Sequence, residues 1–267
     1  MTQRSHVPSG YTWLRVGNAD LVTRLPLVPV FQEALRDGTL HDFAARYSDR
    51  PSLSGRGPVY VVQLPGTEIH AVVRRSRHGG MLAPLRGDVF FGDTRAPREL
   101  AVSIRLRRLG IPTPEIIAYA TYGAAPLARR ADVVSIEIPD ARDLASILTG
   151  SPVPTLTQKR TLLDATALLL DSLTAAGARH PDLNLKNILI APDDDGLPQA
   201  VVLDVDRVWF DTPGNARVTE ANLRRLMRSA RKWQRLHSAD ITEEDLARLA
   251  ERVRGLGAGA IRDGGAR

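Results

Sequence analysis

The sequence predicts an α+β chain in two lobes, an antiparallel-sheet lobe followed by a mainly helical one. Three observations predict it. Two apolar runs, 58–64 and 69–74, flank Pro65-Gly66 and read as strand, turn and strand. A β-branched run over 132–138 ends at Pro139-Asp140, where strand signals give way to helical ones. Beyond that point helical periodicity dominates, over 156–176, about 219–237 and 242–254.

Taken in order, residues 28–47 carry helical patterning through Val30, Phe31, Leu35, Leu40, Phe43 and Ala44, broken by Asp37-Gly38. Residues 1–50 are therefore expected to form an N-terminal helical extension. Residues 51–139 form the expected sheet lobe. Its hairpin is entered through the turn-rich stretch 52–57, and a helix over 96–109, with Leu100, Ile104 and Leu106 apolar, stops at Gly110 before Pro112 and Pro114. Residues 140–267 form the expected helical lobe. Leu162, Leu163, Ala165, Leu168, Leu169 and Leu173 describe a largely buried helix, closed by Gly177. Two short strands, 188–191 and 200–203, surround the turn at Asp193-Asp-Asp-Gly196.

With 267 residues and 43% hydrophobic content the chain can bury a substantial core. No apolar run approaches the roughly 20 residues of a membrane helix, and residues 1–14 lack the apolar core of a signal peptide, which predicts a cytoplasmic protein. The absence of cysteine excludes disulfides, thiolate zinc sites and thiol nucleophiles, leaving carboxylates, amides and six histidines. A net charge of +6 suits anionic partners without choosing among nucleic acid, a phosphorylated substrate and a membrane surface.

The chemistry concentrates in His180-x-Asp182-x-x-x-x-Asn187, with Asp204 following at the end of an apolar strand. A loop carboxylate can orient and deprotonate an attacking hydroxyl, while an amide oxygen and a second carboxylate hold Mg²⁺ on nucleotide phosphates. That makes Asp182 the candidate catalytic base and Asn187 and Asp204 the candidate metal ligands. Asp and Asn also favour capped turns, so the pair gains its meaning from Asp204 and the flanking strands. His180 reads as a loop support rather than a proton acceptor. Asp206, two positions after Asp204, would share its face on a continuing strand and add a carboxylate there, or pair structurally with an arginine.

These motifs resemble the catalytic loop of the protein-kinase-like superfamily, and more closely the lipopolysaccharide core kinases that act on 3-deoxy-D-manno-octulosonic acid (Kdo) or heptose. The matching pieces, in order, are Asp182-Leu-Asn-x-x-Asn187-Ile-Leu, Leu203-Asp-x-Asp206-Arg207 and Asn222-Leu-x-Arg-Leu-x-Arg-Ser229. Upstream stand Gly55-Arg-Gly57-Pro58, Arg74 followed by Gly79-Gly80, Arg95 and Glu99, and Ile111-Pro-x-Pro114. The resemblance covers roughly residues 54–237.

It implies a bilobal protein-kinase-like fold, ATP and Mg²⁺ as cofactors, and transfer of the γ-phosphate to a hydroxyl of Kdo in the lipopolysaccharide inner core. It further implies nucleotide contacts at Gly55, Gly57, Arg74, Glu99, Glu137 and Ile138. Arg74 would stand where protein kinases carry a lysine, with Glu99 as its helix partner; an arginine can meet carboxylate and phosphate bidentately. No glycine follows Asp204-Val205, and no Ala-Pro-Glu-like segment lies downstream, which departs from regulated protein kinases.

Other acceptors, a heptose or an aminoglycoside-like compound, are allowed by the same loop. A nucleotide-binding pseudokinase is disfavoured by the intact Asp182, Asn187 and Asp204, and a nucleic-acid-binding module by the absence of zinc spacing or RNA-binding signatures. Arg224, Arg228, Arg231 and Arg235 recur on one face of the helix near 219–237, opposite Leu223, Met227, Ala230 and Trp233. Such a face is either solvated or meets an anionic acceptor or the cytoplasmic face of the inner membrane peripherally. Trp209 and Phe210 either line the acceptor site or pack.

Overall fold

The computed structural model describes residues 7–48, 50, 57–76, 88–125 and 128–263. Two compact units divide the chain, one comprising 1–104 and 115–137, the other 105–114 and 138–267.

In the first unit, β1 (Tyr11–Val16) and β2 (Ala19–Arg24) form a hairpin, followed by α1 (Val28–Ala34) and α2 (Leu40–Tyr47). Then come β3 (Val59–Gln63), β4 (His70–Arg75), β5 (Phe90–Phe91), α3 (Ala96–Arg108), β6 (Ile116–Ala125) and β7 (Ala128–Ile136). Among the described residues the seven strands make one antiparallel sheet, ordered β1-β2-β6-β7-β4-β3, with β5 also on β7. Residues 1–50 are thus not a helical extension: β2 pairs with β6, and the N-terminal hairpin is part of the sheet. Its physical cue is Gly17-Asn18, a two-residue turn with Gly17 at φ +55° joining Val16 to Ala19. Arg15 and Asp20, facing each other across that turn at 2.9 Å, interrupt the apolar alternation that would otherwise announce two strands.

The sheet is buried on both faces by period-2 alternation. Leu21, Val62, Val73 and Val134 meet Phe31, Leu40 and Phe43 of α1 and α2, while Val22, Ala131 and Val133 meet Ala96 and Leu100 of α3. A capping box between Thr39 and Asp42 starts α2. Two further orphan N–H groups of that turn, on Leu40 and His41, donate to the Tyr122 hydroxyl at 2.9 Å and the Asp132 carboxylate at 3.0 Å. Burial holds the Asp132 carboxyl above its usual range despite that bond and nearby Arg75.

The second unit continues with β8 (Arg142–Asp143), α4 (Leu144–Thr149), α5 (Leu156–Ala175), β9 (Ala178–Arg179), β10 (Ile188–Pro192), β11 (Pro198–Val202) and β12 (Trp209–Phe210). It closes with α6 (Ala216–His237) and α7 (Glu243–Asp263). Thr155 and Gln158 cap α5, whose core face buries Leu162, Leu163, Leu169, Leu170 and Leu173. Leu168, expected in that face, is exposed. Gly177 ends this helix at φ +67°, and an added Cβ would lie 2.3 Å from the Asp211 carbonyl oxygen, so both conformation and crowding require glycine. The segment 105–114, expected in the sheet lobe, belongs to this unit, where Val202 donates to the Pro112 carbonyl at 2.9 Å.

Candidate active site

In the sheet unit the expected nucleotide-binding residues lie on separate elements. Arg74 stands on β4, and its Nη2 donates to Glu99 Oε1 on α3, bringing together two residues 25 apart in sequence. Glu99 is 7% exposed, so its charge is compensated where water is scarce. Gly57 sits at a bend two residues before β3; Gly55 and Gly79-Gly80 lie outside the described residues. The Glu137 carboxylate accepts from Arg50 at 2.7 Å and its N–H donates to His70, while Ile138 opens the second unit, half-buried.

In the helical unit the catalytic-loop residues are assembled by main-chain bonds. The Asn187 side-chain amide donates to the Asp182 carbonyl at 2.9 Å, and Asn184 donates to the same oxygen at 2.8 Å. Leu203 then donates its N–H to the Asn187 carbonyl at 2.9 Å, extending the β10–β11 ladder to the residue preceding Asp204. Asp182 and Asn187 are thereby fixed to each other, and Asn187 and Asp204 lie at the same end of one hairpin. Asp204 itself adopts a left-handed backbone, φ 53° and ψ 47°, uncommon for a non-glycine residue and concentrated at functional sites. A short 3₁₀ turn, Val205–Arg207, follows it, so Asp206 does not continue a strand and the alternation argument for its facing Asp204's side does not apply.

His180 holds the loop from beneath. It is 1% exposed; its Nδ1 accepts from the Asp182 N–H at 3.2 Å and its Nε2 lies 2.9 Å from the Leu203 carbonyl oxygen. These partners require Nε2–H and an unprotonated Nδ1, and burial pushes the imidazole below its ordinary value, favouring the neutral ring. Support, not proton transfer, is what this geometry performs.

One contact had no counterpart in the sequence reasoning. Arg225 of α6 donates from Nη2 to Asp182 Oδ1 at 2.6 Å, across 43 residues. Its residue stood in the motif Asn222-Leu-x-Arg, but the charge periodicity drew attention to the neighbouring stripe instead. Of that stripe, Arg231 is bound bidentately by Glu243 at 2.9 and 2.8 Å, which leaves Arg224, Arg228 and Arg235 without a carboxylate hydrogen bond among the described residues. Phe210 packs beneath Arg105 at 3.5 Å, and Trp209, 39% exposed, lies 5.0 Å from the Arg179 guanidinium.

Asn187 and Asp204 also fit a magnesium ion chemically. With its amide nitrogen committed to Asp182, Asn187 keeps an oxygen for a cation, and Asp204 adds a carboxylate. No trio of His, Cys, Asp or Glu side chains among the described residues forms a metal cage. A single carboxylate supplemented by phosphate and water suits Mg²⁺, which seldom takes an all-protein cage.

The antiparallel sheet with its Arg–Glu strut, and the Asp182–Asn187–Asp204 loop in a helical unit, define a protein-kinase-like phosphotransferase. The family described as Lipopolysaccharide kinase (Kdo/WaaP) matches residues 51–252, and the chain belongs to it. It is accordingly an ATP-dependent kinase. Similar proteins include a 3-deoxy-D-manno-octulosonic acid kinase of Vibrio parahaemolyticus serotype O3:K6, 33% identical over 204 residues, 75% of this chain and 80% of the relative. Another with the same name, from Stenotrophomonas maltophilia strain K279a, is 30% identical over 201 residues, 73% of this chain and 74% of the relative. Among solved structures, WaaP in complex with acyl carrier protein matches with a TM-score of 0.53 at 19% identity, covering 91% of this chain and 97% of that one, which supports the same fold. No helix among the described residues is long and apolar enough to cross a membrane.

Proposed function

We propose that the chain transfers the γ-phosphate of ATP to a hydroxyl of Kdo in the lipopolysaccharide inner core, with Asp182 as base. The observation that carries this reading is the bonded loop: Asn187 tied to the Asp182 carbonyl and, through Leu203, to the strand that delivers Asp204. The acceptor follows from the name shared by its relatives, which favours Kdo over a heptose or an aminoglycoside.

In the proposed step the Asp182 carboxylate takes the hydroxyl proton. The oxygen's electron pair forms the new bond to the γ-phosphorus as the bond to ADP breaks, ADP leaving with that electron pair. Asn187 and Asp204 would hold Mg²⁺, which neutralises charge on the phosphates. Arg74, oriented by Glu99, would pair with the α- and β-phosphates. Gly55 and Gly57 would approach phosphate through backbone amides, and Glu137 and Ile138 would meet the nucleotide.

Arg224, Arg228 and Arg235 line a groove of about 400 Å³ together with Arg231, Gln234 and Glu243, and are proposed to meet an anionic, lipid-linked acceptor or the membrane that carries it.

The test is Mg²⁺-dependent transfer of labelled phosphate from ATP to a Kdo-bearing lipid A precursor, with Asp182→Ala in parallel. The expected loss is about 10²- to 10⁴-fold in turnover with the fold retained; a variant as active as the parent removes Asp182 from the base role. Transfer confined to heptosylated or aminoglycoside acceptors would replace the substrate and keep the machinery. Charge reversal at Arg224, Arg228 and Arg235 should abolish salt-sensitive sedimentation with anionic liposomes, and undiminished sedimentation discards the groove as the contact.

A further inference from the structure

The base is held by more than its own loop. Three side chains of α6, Asn222, Arg225 and Ser229, spaced three and four apart and so on one helix face, each bond a different piece of the catalytic segment. Asn222 accepts from the His180 N–H at 2.9 Å and donates to the Ala178 carbonyl at 3.0 Å. Ser229 accepts from the Leu185 N–H at 3.2 Å. Between them Arg225 reaches the Asp182 carboxylate itself. Asn222 is fully buried, so both of its bonds replace water that cannot reach these groups.

Arg225 does not serve the fold well. Its Nε is enclosed without a hydrogen-bond partner among the described residues, a cost to stability that a residue chosen for packing alone would avoid. What offsets it is at the other end of the guanidinium, on the carboxylate proposed to accept the proton.

We infer that Arg225 is a positioning residue of the phosphotransfer, setting the orientation of the Asp182 carboxylate from α6 while Asn222 and Ser229 hold the loop backbone in register. This rests on Asp182 being the base. A guanidinium bonded to one carboxylate oxygen, Oδ1, restrains the rotation of the group and with it the orientation in which the carboxylate meets a hydroxyl. The role is local to the proton-accepting group, so its loss falls on turnover rather than on nucleotide binding.

The experiment is a double-mutant cycle on transfer to the Kdo-bearing acceptor, combining Arg225→Ala with Asp182→Asn and adding Arg225→Lys. Rates are normalised to folded protein by near-ultraviolet circular dichroism; Arg225→Gln replaces the alanine variant throughout if that variant does not fold. Arg225→Ala should lower kcat about 10- to 100-fold, with the KM values for ATP and acceptor within about twofold of the parent. Arg225→Lys should recover part of that loss by retaining the cation. In the Asp182→Asn background, removing Arg225 should cost almost nothing further. An unchanged kcat in Arg225→Ala, an equal loss with and without Asp182, or an effect confined to the acceptor KM each overturns the inference while leaving Asp182→Asn slowed but measurable. Full turnover in Asp182→Asn overturns both the inference and the reading beneath it.

Discussion

Each unit of this kinase contains an arginine–carboxylate pair that ties a residue of the proposed site to a helix distant in sequence, and the two pairs are built in opposite senses. In the sheet unit the strand carries the arginine, Arg74, and α3 supplies the carboxylate, Glu99. In the helical unit the loop carries the carboxylate, Asp182, and α6 supplies the arginine, Arg225. The supporting partner is 7% exposed in the first case and 38% in the second. A carboxylate as buried as Glu99 is costly to leave without a cation, so the first pair acts as a fixed strut. Arg225 sits where water can share its charge, and the loop it steadies needs Asn222 and Ser229 as well. The difference matches what each proposed site must do: hold phosphates in place, or present a base that gains a proton and releases it every cycle.

The sharpest way to break this comparison is to ask which kinetic constant each arginine controls. Arg74→Ala removes a charged hydrogen-bonding group from the proposed phosphate contacts, a change worth about 1.5–3 kcal/mol, and should raise the ATP requirement roughly 10- to 100-fold with a smaller effect on the acceptor requirement. Glu99→Gln should raise it by less, since Arg74 remains to meet phosphate. Steady-state kinetics with each substrate varied in turn decide the matter. An acceptor KM that rises while that for ATP stays constant would move Arg74 to the acceptor side, and the two pairs would no longer divide binding from chemistry.

What was legible in the chain follows the same division. The loop residues stand close together in sequence, so their spacing could be read directly, and the helices at Val28–Ala34, Leu40–Tyr47, Ala96–Arg108 and Leu156–Ala175 announced themselves by apolar periodicity and by the glycines that break or end it. The strut also emerged, because the resemblance supplied both partners. Missed elements had weak local signals. Strand β6 is rich in alanine, a poor strand former, and is held by β2 and β7 on either side. The N-terminal hairpin was hidden by its charges, although Gly17-Asn18 was a usable turn signal. Arg225 was invisible as a partner of Asp182 because 43 residues separate them and only the docking of α6 closes that distance. Arg224 and Arg228, its neighbours on the helix, looked equally basic in the sequence.

The smallest expected effect separates the units by acid. Asp132 in the sheet and His180 under the loop are both buried, and burial shifts each away from its charged form: the carboxyl upward from 3.8, the imidazole downward from 6.5. Their consequences for stability have opposite signs. Between the unfolded value of 3.8 and its higher folded value, Asp132 binds protons more readily in the folded chain, so falling pH relieves a cost there. Between 6.5 and its lower folded value, His180 binds protons more readily in the unfolded chain, so stability is lost as pH falls through that window. Protonation at Nδ1 would also remove the acceptor for the Asp182 N–H. A glutamine at 180 offers an amide oxygen and an amide N–H but does not titrate. The denaturation midpoint of the parent should therefore fall from about pH 7.5 to about pH 5.5 by more than that of His180→Gln. Equal falls would mean that the ring is not held neutral beneath the loop, and the acid sensitivity of the helical unit would have to come from another group.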